Sequence, residues 1–183
     1  MSETPDIVYR VNARDEIDFV CDEWDDFAVA NGGESVLSAQ VLGRPIWDFI
    51  TDLSTQEIYR ALIRKARSGR SLQFTFRCDA PWRRRFLEMT VVGKEGGAVE
   101  FHTRTLLEEE RPTPILLDAD VGRSDELLRS CGWCKKFLVG DEWVEVEEAV
   151  QRLRLFQRRR LPSITHGICD ECYEKMNEVA ARA

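Results

Sequence analysis

The chain has 183 residues, 43% hydrophobic and 32% charged, with a formal net charge of -7. That is the balance of a soluble globular chain, long enough for one ordinary domain or for one of about 100–120 residues with a small companion. The acidity argues against a general nucleic-acid binder, which needs clustered Lys and Arg, and no apolar run approaches the ~20 residues of a membrane span. The opening MSETPDIVYR carries no basic segment followed by an apolar one, so no secretory signal is expected and a cytoplasmic location is the default. In a reducing compartment the six cysteines are expected as thiols or metal ligands rather than disulfides.

In chain order, DIVYRV alternates Ile7, Tyr9 and Val11 with Val8 and Arg10, and IDFVC sets Ile17, Phe19 and Cys21 on one parity. Two such strands about the polar NARDE predict a hairpin. EWDDFAVAN places Trp24, Phe27 and Ala28 at helical spacing and stops at Asn31-Gly32-Gly33. STQEIYRALIRKARSG carries Ile58, Leu62 and Ala66 at i, i+4 and i+8, with Ser54 or Thr55 to cap it and Gly69 to end it. Three alternating strands follow, with Leu72, Phe74, Phe76 and Cys78, then Leu87, Met89 and Val91, then Val99 and Phe101 inward. Strict alternation gives one wet face and one buried face, as in an antiparallel sheet. Strands broken by a helical insert indicate an α+β domain.

That order, with VLGRPIWDFI (41–50) before the long helix and FTFRCDAPWRRRFLEMTV after it, resembles the PAS sensory domain over residues 6–106. The resemblance implies an antiparallel sheet with flanking short helices, and a role in sensing a small molecule, redox state or light, or in dimerising to relay signals. It does not extend to the flavin photosensor class, because Pro45 and Ile46 follow Arg44 where that class has Asn-Cys. Nor does residues 55–68 contain the histidine with which one haem-binding class ligates iron. The aromatic set Trp24, Phe27, Trp47, Phe49, Phe74 and Phe76, with Met89, either fills the core or lines a pocket for a small apolar ligand. His102 shares the outward face with Glu100 and Arg104 and reads as an exposed histidine. Cys21 and Cys78 read as buried thiols. Arg83-Arg84-Arg85 reads as a solvated turn. Arg158-Arg159-Arg160 follows an apolar helical face of Val146, Ala149, Val150, Leu153 and Phe156, where cations favour a helix C-terminus.

LLEEERPTPILLDADVGRSDE has two prolines and no sustained period, and reads as a connector over 107–125. The last region, 126–183, contains Cys131-Gly-Trp-Cys134, then 34 residues, then Cys169-Asp-Glu-Cys172. Lys135 and Tyr173 stand where covalent haem attachment needs histidine, which excludes it. Two residues between cysteines form a tight turn that aims both sulfurs at one ion, and two such turns close a four-thiolate tetrahedron. A segment too small for a large core gains stability from such a staple, and structural zinc supplies roughly 10–16 kcal/mol of apparent binding energy. Four thiolates also hold an Fe–S cluster, so zinc and iron both stay open. His166 reads as a hydrogen-bonding neighbour of the site or as an alternative ligand.

KKFLVGDEWVEV predicts two short strands about Gly140-Asp141, VEEAVQRLRLF a helix, and ECYEKMNEVAARA a second helix bearing Cys172 in its first turn. A ligand pair at a turn and a pair at a helix start is similar to treble-clef zinc modules. CGWCKKFLVGDEW with ITHGICDECYEK also resembles a cysteine-paired segment that follows PAS or receiver domains in bacterial signalling proteins.

The expectation is a non-enzymatic signalling protein, a PAS-like sensor followed by a zinc-stabilised module. It would act on a protein partner in trans and is expected as a homodimer, with no membrane or nucleic-acid partner. The alternative is a redox or gas sensor, with an Fe–S cluster at the cysteines or a cofactor in the PAS pocket. No nucleophile–base pair is placed by a recognised motif, so no catalytic residue is assigned.

Overall fold

Alternation of period two builds the first of two sheets, and three stretches of helical spacing lie between its second and third strands in the chain. The structure is a computed structural model and describes residues 6–182; the opening stretch read for a secretory signal lies partly outside them. The described residues form two units, 6–75 with 87–106 and 175–182, and 76–86 with 107–174. The sequence reading divides the chain at 6–106, 107–125 and 126–183 instead.

The first sheet contains β1 (Ile7–Val11), β2 (Ile17–Val20), β3 (Ser71–Arg77), β4 (Arg83–Gly93) and β5 (Val99–Glu110), in the order β2-β1-β5-β4-β3. β1 runs antiparallel to β2 and to β5. The links 78–82 and 94–98 are too short for a crossover, so β3–β4 and β4–β5 are hairpins. Between β2 and β3 lie α1 (Trp24–Ala30), the single turn α2 (Ser38–Val41) and α3 (Leu53–Arg67). This is an α+β arrangement of an antiparallel sheet with short flanking helices.

α3 buries Ile58, Leu62, Ile63 and Ala66, and Val11, Val91, Val99 and Phe101 of the sheet are fully buried. The cap is Asp52 rather than Ser54 or Thr55: its carboxylate accepts from the Thr55 N–H at 2.7 Å and the Thr55 hydroxyl at 2.8 Å. Gly69 ends the helix with φ +88°, a conformation glycine adopts at little cost. Gly93 has a different reason: a Cβ there would stand 2.1 Å from the Ala66 carbonyl oxygen, so β4 passes α3 at a distance only glycine permits.

The alternation fails at four positions. Phe19, expected inward, is exposed on β2, an edge strand whose register with β1 shifts at Arg10/Val11. Cys21 and Cys78 are half-buried. Arg77, expected on the wet face, is 7% exposed, because its guanidinium reaches Asp79 and both oxygens of Glu145 at 2.8 and 2.9 Å. Arg83-Arg84-Arg85 is likewise no solvated turn. It opens β4, with Arg85 buried and Arg83 and Arg84 paired to Glu108 and Glu147 at 3.1 and 2.6 Å.

The second unit is organised by a four-stranded sheet, β6 (Arg123–Cys131), β7 (Phe137–Val139), β8 (Glu142–Val144) and β9 (Leu161–Gly167), in the order β8-β7-β6-β9. The predicted hairpin is present: β7 and β8 are antiparallel about Gly140, which takes φ +63°. β6 and β9 are additional strands, and they are parallel, a pairing that requires a crossover. The crossover is β7, β8 and α4 (Val146–Arg152). α4 is shorter than its apolar spacing predicts, because Arg154 enters the left-handed region at φ +48°; Phe156, expected on its apolar face, is 60% exposed. Residues 107–110, read as connector, continue β5, and β6 starts at Arg123. Leu116, Leu128, Phe137, Val144, Val146, Ala149, Leu155 and Leu161 form the core of this unit. α5 (Asp170–Arg182) follows β9, as predicted.

Candidate metal centre

The parallel pairing of β6 with β9 explains how cysteine pairs so far apart in sequence meet. Parallel neighbours end on the same side of a sheet, and the register sets Cys131 opposite Gly167. Each strand then delivers its cysteine turn at that end. The Gly132 N–H donates to the Gly167 carbonyl at 2.8 Å and ties the two turns together.

At the first turn the chain reverses from β6 into β7. The Lys135 N–H donates to the Cys131 carbonyl at 3.0 Å and the Cys131 N–H to the Lys136 carbonyl at 2.8 Å. Lys135 adopts φ +62° to make the reversal, an uncommon conformation for a residue with a side chain. Trp133 is buried between the two ligands, and its carbonyl accepts from the Arg77 N–H at 2.8 Å. At the second turn Cys169 precedes α5 and Cys172 lies in its first turn. The Cys172 N–H points at the Cys169 Sγ at 3.4 Å, and the Cys169 N–H points at the Cys131 Sγ at the same distance.

The Sγ atoms of Cys131, Cys134, Cys169 and Cys172 all lie within 4.8 Å of one another. Those of Cys134 and Cys169 are 3.8 Å apart, which is about the edge of a tetrahedron with 2.3 Å bonds to a central ion. Cys131 and Cys169 are buried, Cys134 and Cys172 partly so, and all six cysteines are free thiols. The residues expected as ligands are therefore together, and the group can hold a metal ion.

Electrostatics of the group centre on Cys131. Hydrogen bonds from the Cys134 and Cys172 thiols, with help from the Cys134 and Cys169 N–H groups, hold its thiol far below the usual range against the effect of burial. The same bonds act in reverse on the donors: Cys134 is pushed up to about 12, first by its bond to Cys131, and Cys172 is raised strongly, first by Cys131 and then by Cys134. A cation at the centre inverts this order, because it deprotonates a coordinating thiol outright.

His166 stands near the end of β9, exposed, in register with Ser130. The four-sulfur group is complete without it, and it borders a separate cavity of the same unit. His102 is half-exposed on β5 with Nε2 2.5 Å from Glu100 Oε1, which also accepts from Lys94 Nζ at 2.8 Å. Burial works to raise the Glu100 carboxyl, but the Lys94 and His102 hydrogen bonds outweigh it and leave it below the ordinary value.

The first unit contains an apolar cavity of about 190 Å³ bordered by Tyr9, Trp24, Val41, Ile46, Phe49 and Tyr59, among others. Of the seven side chains expected to fill the core or line a pocket, Trp24 and Phe49 border it. Phe74 and Met89 are buried in the packed core, Phe27 and Phe76 are half-buried elsewhere, and Trp47 donates to Asp15 at 3.1 Å beneath the Arg60 guanidinium. Strand parity marks a side chain as inward without distinguishing a packed position from a cavity wall. Tyr9 and Tyr59 were not expected here. The Tyr9 ring stacks on Phe101 at 4.5 Å, and its hydroxyl is raised well above the ordinary value, first by burial and then by Tyr59. Among the described residues no helix is long and apolar enough to cross a membrane.

No protein-family model matches this chain, and no curated protein matches it. Among solved structures, a sensory box sensor histidine kinase from Vibrio cholerae aligns over 57% of this chain and 83% of its own, at 14% identity and a TM-score of 0.38. A domain of an HTR-like protein from Haloarcula marismortui aligns over 57% of this chain and 100% of its own, at 11% identity and 0.37. A C-terminal domain from Streptococcus mutans aligns over 56% and 77%, at 13% identity and 0.41.

Proposed function

We propose that the chain is a non-enzymatic, cytoplasmic protein of PAS-type sensing or protein interaction, in which four cysteines hold one structural zinc ion. The observation that carries this reading is the mutual approach of four Sγ atoms to within 4.8 Å. A single ion suits that spacing. A cluster of two or four irons with bridging sulfides stands between its cysteines and requires them farther apart, so the spacing favours a single ion over an Fe–S cluster. Four thiolates fill a tetrahedron and leave no open position for water or substrate, which is the arrangement of structural rather than catalytic zinc. The PAS-like fold and the small apolar cavity support the sensory part. A compact apolar ligand with one polar group would place that group at the Tyr9 and Tyr59 hydroxyls. The signal would pass to a protein partner in trans, with a homodimer as the working assembly.

The experiment is Cys169→Ser. The variant is expected to lose its metal and the amide-exchange protection of β6, β9 and the start of α5. Unchanged metal content and protection would overturn the ligand assignment.

A further inference from the structure

A second cavity, of about 370 Å³, lies wholly within the second unit. Its size falls in the range of small-molecule sites. Leu117, Phe137, Val146 and Ile164 supply apolar wall, and Arg111, Arg123, Lys135 and His166 supply nitrogen. One carboxylate borders it, that of Asp79, and Asp79 is already engaged by the buried Arg77 through both of its oxygens.

The cations are not neutralised in the same way. The Arg123 guanidinium donates to the carbonyls of Leu116, Asp118 and Pro162 at 3.0, 2.8 and 3.3 Å. Lys135 Nζ donates to the Gly132 carbonyl at 2.7 Å. Among the described residues neither has a carboxylate at ion-pairing distance; neutral dipoles fix both groups in place, and Arg123, unlike Lys135 beside Cys134, has no anionic sulfur next to it in the chain. Arg111 has an 8% exposed side chain; it donates to the Pro81 carbonyl at 3.2 Å, and its contacts with Asp79, Glu147 and the Ala80 carbonyl are at 3.4 Å, at the loose end for charge-assisted bonds. Hydrogen bonds to charged groups contribute most when the partner is out of water. A cavity that holds positive charge beside apolar wall favours an anion with an apolar body.

We propose that this cavity binds a small organic anion, a phosphate or carboxylate head on a compact apolar body, with Arg123 and Lys135 receiving the head and Phe137 and Ile164 packing on the body. This reading is independent of which metal the cysteines hold.

The test is calorimetric titration of the metal-loaded full chain with phenyl phosphate and with benzoate, against benzyl alcohol as a neutral control. Saturable one-to-one binding of either anion is expected, weakening as NaCl is raised, with benzyl alcohol at least about tenfold weaker. Arg123→Gln is expected to weaken the anion about tenfold or more while metal content stays that of the parent chain. Absence of saturable binding by both anions, or equal binding of benzyl alcohol, overturns the proposal. Should Arg123→Gln fail to fold, the arginine Nε–H signals of the unaltered chain decide. Saturable shifts of Arg123 or Arg111 with phenyl phosphate support the site, and unmoved signals overturn it.

Discussion

The backbone N–H of Arg77 donates to the carbonyl of Trp133 at 2.8 Å. Trp133 lies between the first two cysteines, so Arg77 is hydrogen-bonded to the first cysteine turn itself. The Arg77 side chain reinforces the link, forking onto Glu145 just before α4 while it pairs with Asp79.

Arg77→Met tests that link. It would leave Asp79, 7% exposed, without its main cation, and breaking a buried pair from one side costs about 3 kcal/mol or more. Arg111, 3.4 Å from Asp79, recovers a part. Chemical denaturation is expected to show the loss, and the double variant with Asp79→Asn should recover much of it. A single variant as stable as the parent would show the pair to be idle.

Gly93→Ala probes the first unit. Its Cβ meets backbone at 2.1 Å, with no flexible side chain to yield. Forced separation of β4 from α3 should cost about 1–3 kcal/mol, read from the denaturation midpoint. Substitution of Gly140, with open space around its Cβ position but φ +63°, should act through backbone strain instead and cost about 1 kcal/mol.

Asp25 should make stability depend on acid. The Ser38 hydroxyl and N–H both bond to its carboxylate at 2.6 Å and hold it below the ordinary carboxylate value. A folded pKa lower than the unfolded one contributes stability that is full above the unfolded value, about 3.9, and is lost as pH falls through the folded value. The stability difference between the parent and Asp25→Asn should be flat near neutrality and shrink below about pH 4. A difference that grows toward acid would contradict the sign.

Much of this fold was legible in the sequence, because its buried positions follow single periods. Ile58, Leu62 and Ala66 marked α3, and Val99 and Phe101 marked β5. The cysteine spacing identified all four members of the sulfur group, since two-residue separation fixes a local turn whatever lies between the pairs. β6 and β9 were not legible. Their burial is irregular, with Leu127 68% exposed beside buried Leu128, and a parallel partner 36 or more residues away leaves no local turn signal. Arg77 and Arg85 were misplaced for a related reason. Periodicity treats arginine as solvated, whereas these two are buried by carboxylates and carbonyls that become neighbours only after folding. The cavity residues Tyr9 and Tyr59 lie on different elements, β1 and α3, and nothing in the chain's local pattern pairs them.

The central claim is that four thiolates hold one zinc. Native mass spectrometry of the chain purified without added metal, joined to elemental analysis and a visible spectrum, tests it most directly. The account predicts a colourless protein carrying one zinc per chain, released on acidification as protons displace the metal from its thiolates. Iron with acid-labile sulfide and visible absorption, or four cysteines without stoichiometric metal, would contradict it.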